Sequence, residues 1–268
     1  MSDPDHARRG ALVLVPNTLD LGTLGHGADG AAEPDLQDVL PLGAIRVAAG
    51  LTHWVCENAK TTRAFLKRVN ALVPLALPVQ ALDIRELPRP AKGGGKPAPP
   101  AQLLPLLAPA LDAGIDIGLL SEAGLPAVAD PGAELVAAAH RLGLEVRPLA
   151  GPSAIVLAVA ASGLNGQSFA FVGYLPQDEA GRAARIRALE ARSLAERQTQ
   201  LVIETPYRNE ALMRSLLTHL RPNTLLSVAC GLTVQGGWNR SLSVADWRRS
   251  PPQFAKHLPA VFGWLAGG

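Results

Sequence analysis

The feature that most constrains this chain's fold is a regular alternation of short apolar segments with longer segments of helical period. Residues 11–15 form the first apolar segment, and residues 59–69 place Phe65, Leu66 and Val69 on one helical face. Strands that alternate with helices are typical of α/β proteins, because a crossover helix lets consecutive strands lie parallel. The pattern therefore predicts an α/β fold with a largely parallel sheet, at least in the first half.

The same criteria assign an element to most of the chain. Asn58 is expected to cap the second helix, and Gly143 is expected to end the fourth. The predicted strands are residues 11–15, 53–57, 72–79, 115–120, 144–149, 168–174, 199–204, 224–230, 241–244 and 259–265. The predicted helices are residues 35–51, 59–69, 102–113, 133–142, 155–162, 178–198 and 209–220.

Residues 119–132 combine the end of an apolar strand with a loop rich in Gly and Pro. Asp130 precedes Pro131, which is typical of a helix start, because the carboxylate accepts from the free amides of the first turn. Loops at the carboxyl ends of strands are the usual ligand sites of α/β proteins. Two interpretations stay open: a ligand-binding loop, or a capped connection without a ligand.

Two other segments are too long and too rich in small residues to be tight turns. Residues 17–34 hold four glycines, but their spacing is not that of a dinucleotide-binding G-x-G-x-x-G motif and no helix follows them directly. This segment is predicted to be a functional or disordered loop. Residues 89–100 are low-complexity and are predicted to be a mobile excursion.

The length of 268 residues suits one large domain or two smaller ones, and we expect two, residues 1–121 and 122–268. Hydrophobic residues make up 48% and charged residues 18%, which is a globular composition. No apolar run approaches the ~20 residues that span a bilayer, and the first ten residues lack a secretion signal, so a cytoplasmic protein is expected. Cys56 and Cys230 are expected to be buried thiols.

Several kinds of chemistry find no support. The chain lacks G-x-S-x-G and the phosphate-binding G-x-x-x-x-G-K-[ST], and its His, Cys and carboxylates show no metal-ligand spacing, so no metal is expected. Aromatic residues make up 4% and the net charge is +2, so a polyanion would have to meet a local basic patch. Arginines of the predicted helix 178–198, with Arg248 and Arg249, either form such a patch or a solvated face.

Small and polar residues follow several predicted strands, and parallel strands would bring these ends to one rim of the sheet. Gly and Ala at such positions let a ligand contact backbone N–H and C=O groups directly. The relevant strand ends are at residues 16–17, 57–58, 121–126, 151–154, 204–208 and 229–231.

On these residues the sequence resembles the tetrapyrrole methylase superfamily of S-adenosylmethionine-dependent (class III) methyltransferases. Within it, the chain is similar to a short variant of the branch of ribosomal RNA small subunit methyltransferase I, which methylates a cytidine 2′-oxygen. The resemblance implies two α/β domains, a cofactor cleft between them and a homodimer. It is carried, in the order of the family, by residues 12–16, 57–62, 119–132, 149–154, 160–164, 171–176 and 203–208.

The resemblance also implies a set of site residues. S-adenosylmethionine would be bound by Pro16, Asn17, Ser121, Glu122, Ala123, Gly124, Leu125, Val128, Ser153, Ala154, Thr205, Tyr207, Ala229, Cys230, Leu258 and Pro259. Catalysis would involve Glu57 or Glu204 as general base, with Lys60, Tyr207 and Arg208 orienting the substrate. Capping of the following helix is the alternative role for both glutamates.

Two motifs depart from the branch. Residues 57–60 read E-N-A-K where the branch typically has E-D-T-R, and residues 121–126 read S-E-A-G-L-P where it has S-D-A-G-T-P. The resemblance implies an S-adenosylmethionine-dependent methyltransferase acting on ribosomal or related RNA. A methyltransferase for a tetrapyrrole or another small molecule and a non-catalytic S-adenosylmethionine-binding sensor are the alternatives.

Overall fold

In the computed structural model, which describes residues 9–20, 35–88 and 99–267, the chain forms two compact units. The first is Met1–Ser153 and the second is Ala154–Gly268. The division expected after residue 121 therefore lies inside the first unit. The physical reason is that the strand Glu145–Pro148 pairs with the first strand of the chain and belongs to its sheet.

The first unit is built on a parallel sheet of five strands, ordered β3-β2-β4-β1-β5. The strands are β1 Ala11–Leu14, β2 His53–Cys56, β3 Asp83–Glu86, β4 Ile117–Leu120 and β5 Glu145–Pro148. The helices are α1 Leu42–Gly50, α2 Ala59–Leu72, α3 Pro100–Asp112 and α4 Ala133–Arg141, with 3-10 turns at Leu36–Asp38 and Val79–Ala81.

Helices cover the sheet of the first unit with two apolar clusters. One is centred on Trp54, Phe65 and Leu66, and the other on Leu107 and Leu119. Because all five strands run the same way, their carboxyl ends lie along one edge of the sheet. The predicted parallel sheet is thus confirmed, and the strand ends that the sequence singled out in this unit share that edge.

The second unit is built on a mixed sheet ordered β6-β7-β10-β8-β9, in which only β6 and β7 pair in parallel. The strands are β6 Phe169–Phe171, β7 Thr199–Glu204, β8 Leu225–Cys230, β9 Trp238–Ser243 and β10 Ala260–Leu265. The helices are α5 Ala154–Ser162, α6 Glu179–Glu196, α7 Asn209–His219 and α8 Val244–Arg249, with a 3-10 turn at Pro206–Arg208.

The short helix α8 was not predicted, since the strand expected at residues 241–244 ends at Ser243 and α8 begins at Val244. Three further element predictions differ from the structure. The strand expected at residues 72–79 is the end of α2 followed by turns, because Pro74 and Pro78 cannot donate to a ladder. The edge strand β3 was missed because its sequence, Asp-Ile-Arg-Glu, is polar and half exposed. The helix expected over residues 35–51 is interrupted at Pro41, which caps α1.

The structure also bears on the predicted helix cap, cysteines and loops. Asn58 caps α2 by accepting from the Lys60 amide, as predicted, and Cys56 and Cys230 are free and buried, also as predicted. The predicted loop 17–34 and the predicted excursion 89–100 lie outside the described residues at 21–34 and 89–98. None of the helices in the described ranges is long and apolar enough to cross a membrane.

Candidate functional site

The loop after β4 is held to the end of β1 by Asn17. The Asn17 side-chain amide donates to the carbonyl oxygens of Ser121 at 3.0 Å and Glu122 at 3.1 Å, and its Oδ1 accepts from the Thr18 amide at 2.8 Å. The backbones also pair, since Asn17 N–H donates to Gly124 O and Gly124 N–H donates to Thr18 O. Asn17 is 8% exposed, so these bonds fix the loop instead of reaching into solvent.

Glycine is required at two points of this edge. Gly124 has φ +66°, and a Cβ there would lie 3.2 Å from the Leu19 side chain and 3.3 Å from Pro152 O. A Cβ on Gly151 would overlap the Pro16 ring. The predicted residues Pro16, Asn17, Gly124 and the segment that precedes Ser153 are therefore packed together as one backbone-lined edge.

The same loop contains unusual backbone conformations at alanines. Ala127 and Ala129 both have φ +65°, a left-handed conformation that costs a residue with a Cβ about 1 kcal/mol or more. Such conformations persist only where the surrounding structure enforces them. They flank the exposed Val128 and come directly before Asp130.

The side chain of Asp130 does not cap α4, so the predicted helix cap is wrong. The helix begins at Ala133 behind Gly132, which has φ +127°, and no side chain caps it. Burial first, and then the charges of Glu57 and Glu122, raise the pKa of Asp130 from its ordinary 3.8 to about 7. The loop thus gathers three carboxyl groups, of which one titrates near neutral pH.

Glu57 follows β2 and does not cap α2 either. The cap is formed by Asn58 and by Glu86, whose Oε1 accepts from the Ala59 amide at 2.9 Å. Glu57 accepts from the backbone N–H of Glu122, while its Oε2 is buried without a hydrogen-bond partner among the described residues. Burial, with a smaller contribution from the Glu122 charge, raises the pKa of Glu57.

Glu122 is oriented by α2. Its Oε1 accepts from the Thr61 hydroxyl at 2.6 Å, and that hydroxyl also lies 3.0 Å from Asn58 O at the start of the helix. Lys60, one residue earlier, is exposed. The three acids have different restraints: Glu122 is held by a hydroxyl, Glu57 by one amide, and Asp130 by no hydrogen bond within the described part of the chain.

In the second unit, the register of the sheet brings three predicted segments to one edge. Ala260 of β10 lies opposite Glu204 of β7 and Cys230 of β8. The segments that continue from these residues, Thr205–Tyr207, Gly231 and Leu258–Pro259, therefore meet at that edge. Gly231 N–H donates to Pro259 O at 2.9 Å.

Glu204 is buried and fully engaged. Its Oε1 accepts from the Thr205 amide at 2.8 Å, and its Oε2 lies 2.8 Å from an Arg208 guanidinium nitrogen. Tyr207, two residues before the start of α7, is 81% exposed. Of the two glutamates predicted as general bases, only Glu57 keeps a carboxylate oxygen without a partner among the described residues.

Asn209, which the sequence analysis did not single out, lies at this edge of the second sheet. It is fully buried, its side-chain amide donates to Leu258 O at 2.9 Å, and its Oδ1 has no partner among the described residues. It links the Thr205–Tyr207 corner to the segment before β10. Its position at the start of α7 shows no special sequence pattern, so only the fold reveals its role.

The remaining predicted positions at this edge are apolar and small. Ala229 and Cys230 are buried at the end of β8, and burial raises the pKa of the Cys230 thiol to about 11, so it stays protonated. Ala154 begins α5 in the second unit. Neither the acidic loop nor any other part of the described chain offers three side chains grouped as a metal site.

Most arginines of α6 and α8 are engaged within the second unit. Arg182 donates to Ser215 and Gln177 O, Arg192 pairs with Glu196, and Arg248 donates to the carbonyl oxygens of Leu217 and Leu220. The solvated-face interpretation of this helix is therefore the one that the contacts favour.

A parallel sheet with a backbone-lined loop at its carboxyl edge, joined in sequence to a mixed sheet, defines a two-unit α/β protein. The family of tetrapyrrole (corrin/porphyrin) methylases matches residues 34–240. The chain belongs to this family, as its motifs led us to expect.

Curated relatives match over shorter segments. Ribosomal RNA small subunit methyltransferase I of Pseudomonas aeruginosa is 40% identical over 98 residues, 37% of this chain and 33% of the relative. The proteins of the same name from Micromonospora olivasterospora and Synechocystis are 41% and 37% identical, over 42% and 46% of this chain and 35% and 43% of the relatives. The aligned part thus spans about a third to two fifths of these proteins.

Solved structures match over most of the chain. Uroporphyrin-III-C-methyltransferase from Thermus thermophilus has a TM-score of 0.51 at 18% identity and covers 96% of this chain and 92% of its own. The methyltransferase CobJ has a TM-score of 0.52 at 15% identity and covers 86% and 95%. At these identities the likeness establishes the fold alone.

Proposed function

We propose that this protein is an S-adenosylmethionine-dependent methyltransferase that methylates an oxygen of RNA, with ribosomal RNA as the first candidate. The observation that carries the proposal is the acidic, backbone-lined loop at the carboxyl edge of the first sheet, in a member of the tetrapyrrole methylase family. The RNA substrate is supported by the named activity of the curated relatives, which match part of this chain.

The residues of the loop suit this cofactor. S-adenosylmethionine carries positive charge on its sulfonium and ammonium groups, and the loop gathers the carboxyl groups of Glu57, Glu122 and Asp130. The bend at Gly124 leaves backbone groups uncovered by a Cβ, as direct backbone binding requires.

When bound, the cofactor supplies an electrophilic methyl group. The protein's own contribution is mainly to hold the acceptor in line with that group, since positioning supplies a large part of such a rate enhancement. Glu57 takes the proton that an acceptor hydroxyl loses as its oxygen is methylated, because it has a free oxygen and a raised pKa. Glu204, held by Arg208 and Thr205, instead fixes its corner, while Lys60 and Tyr207 are exposed and available to orient RNA.

The remaining expected cofactor contacts, Ser153 and Ala154, Thr205 to Tyr207, Ala229, Cys230, Leu258 and Pro259, rest on the family resemblance. The same resemblance supports a homodimer, and the proposed RNA substrate is consistent with action in the cytoplasm. Light scattering after size exclusion measures the first of these two properties, and a monomer at micromolar concentration would contradict it.

Two measurements test the function. Calorimetric titration with S-adenosylmethionine should show saturable binding, and no binding at millimolar ligand would refute the cofactor assignment. Transfer of a labelled methyl group should then modify small-subunit RNA from a strain that lacks the protein. If the label from an extract of that strain appears only in its small molecules, the protein is a small-molecule methyltransferase. If the protein binds S-adenosylmethionine but transfers no methyl group, it is a sensor.

A further inference from the structure

Helix α2 carries four basic side chains and no acidic one: Lys60, Arg63, Lys67 and Arg68. Arg68 is turned inward, where it pairs with the buried Asp20 at 3.3 Å. The other three are exposed, and their spacing of three and four residues places them on one face, opposite the buried Phe65 and Leu66. We call Lys60, Arg63 and Lys67 the α2 cationic stripe.

The charge of this stripe is not neutralised. Within the described residues, no carboxylate forms a salt bridge with Lys60, Arg63 or Lys67, and the Arg63 guanidinium donates only to Ala59 O at 3.3 Å. Some exposed arginines on other helices pair with acids of their own helix, as in Arg192–Glu196 and Arg249–Asp246. The chain as a whole has a net charge of only +2, so the stripe is a local feature.

The stripe begins beside the candidate site. The first turn of α2 contacts the acidic loop through the 2.6 Å hydrogen bond between Thr61 and Glu122. From Lys60 to Lys67 the helix rises about 10 Å, at about 1.5 Å per residue. A row of cations of this length can contact more than one phosphate group of an extended strand while its first member lies next to the loop.

We propose that the α2 cationic stripe binds the phosphate backbone of single-stranded RNA and leads the acceptor nucleotide to the loop. This inference rests on the proposed function, since it assigns a surface to that substrate. The stripe lies next to an acidic site, so a compact anion bound there would be repelled by the carboxylates. An extended polyanion can instead contact the lysines and arginine along the helix. The low aromatic content of 4% makes phosphate contacts, rather than base stacking, the main source of affinity.

The test compares the salt dependence of RNA binding in two double variants. Arg63→Ala with Lys67→Ala removes two charges from the stripe and leaves Lys60 in place. Arg185→Ala with Arg192→Ala removes the same charge from α6. Binding of a fluorescein-labelled, mixed-sequence single-stranded RNA is measured by anisotropy between about 50 and 200 mM salt.

The stripe variant is expected to lower the magnitude of the slope of log K against log salt by about 1.4, or about 0.7 for each lost phosphate contact. The α6 variant should retain the wild-type slope. Binding of S-adenosylmethionine, measured in parallel by calorimetry, should be the same for both variants and for the wild type.

Three results would overturn the inference: equal slopes for the two variants, no RNA binding by the wild type, or a stripe variant that loses binding to phosphatidylserine vesicles and keeps its RNA slope. The last result would indicate an anionic membrane as the partner. A wild type that fails to bind S-adenosylmethionine but shows the expected slope difference would instead refute the proposed function and leave the RNA surface standing.

Discussion

The side-chain amide of Asn17 donates to the carbonyl oxygen of Ser121 over 3.0 Å, and this bond ties the end of β1 to the loop that follows β4. The amide also reaches Glu122 O, so that one residue holds two consecutive carbonyl groups of the loop. Asn17 was predicted to touch the cofactor. The structure shows that its side chain bonds to the loop. We infer that Asn17 positions the loop, and its contact with the cofactor stays a prediction.

Replacement of Asn17 by Ala should loosen the loop. The change leaves the buried Ser121 carbonyl and the partly buried Glu122 carbonyl without their donor, which costs about 2–3 kcal/mol of unfolding free energy. Affinity for S-adenosylmethionine should fall about tenfold or more in calorimetry, because the binding backbone is no longer fixed. Asn165→Ala is the matched control, since Asn165 also bridges backbone groups, Arg197 O and Gln167 N. Equal affinities in the two variants would contradict this role.

Replacement of Gly124 by Val should abolish tight cofactor binding. Gly124 has a φ of +66°, which disfavours any β-branched residue, and the Cβ of the new valine would crowd Leu19 and Pro152. Gly163→Val is the control, because Gly163 has φ +67° and open space around the added Cβ. Both variants should lose about 1–2 kcal/mol of stability from backbone strain. Only Gly124→Val should weaken S-adenosylmethionine binding, and a wild-type Kd in that variant would show that the cofactor binds elsewhere.

The α/β class and most element positions could be predicted because buried strands and amphipathic helices leave different periods in the sequence. β3 could not, because an edge strand of Asp-Ile-Arg-Glu has no apolar period. The division of the chain was misplaced because β5 returns to β1, a pairing of distant segments that local patterns do not encode.

The sequence predicted which loops form the candidate site but not the contacts within them. Strand ends rich in Gly and Pro identify the loop after β4, but they do not reveal the left-handed conformations of Ala127 and Ala129 that precede Asp130. Alanine gives no sign of such a conformation, since helical geometry is its preference. Local capping rules therefore assigned Asp130 to α4, while tertiary structure placed it near Glu57.

The stability of the protein should depend on the ionisation of Asp130. Its pKa is about 7 in the folded protein and near its ordinary 3.8 in the unfolded chain, so the folded state binds the proton more tightly. The stabilisation is fully present below about pH 4 and is lost as the pH rises through about 7. Asp130→Asn cannot ionise, and at pH 8 it should be more stable than the wild type by about 1–2 kcal/mol, with solvent screening allowed for.

Denaturant unfolding at several pH values measures this difference. The advantage of Asp130→Asn should shrink towards pH 4, and a difference that does not vary with pH would contradict the shifted pKa. Glu134→Gln, an exposed carboxylate change on α4, is the control and should show little pH-dependent difference. In the wild type, affinity for the cationic cofactor should also rise through about pH 7 as Asp130 becomes charged.

Replacement of Glu57 by Gln should separate catalysis from binding. The amide keeps the size of the side chain and removes its ability to take a proton, so kcat for methyl transfer to RNA should fall about 10²- to 10⁴-fold. The KM for S-adenosylmethionine should change by only a few-fold. Glu204→Gln should instead unfold at lower temperature, because Glu204 is buried and paired with Arg208. An unchanged kcat in Glu57→Gln would exclude Glu57 as the general base.

Replacement of Asn209 by Leu should show whether this buried residue positions the second-unit edge. The change removes the 2.9 Å bond to Leu258 O, and with it the link between the Thr205–Tyr207 corner and the segment before β10. Ser193→Ala is the control, since it removes another buried bond of the same unit, to Ala266 N. Each variant should lose about 1–3 kcal/mol of stability. Only Asn209→Leu should weaken S-adenosylmethionine binding, about tenfold; equal weakening in both would show that Asn209 acts through stability alone.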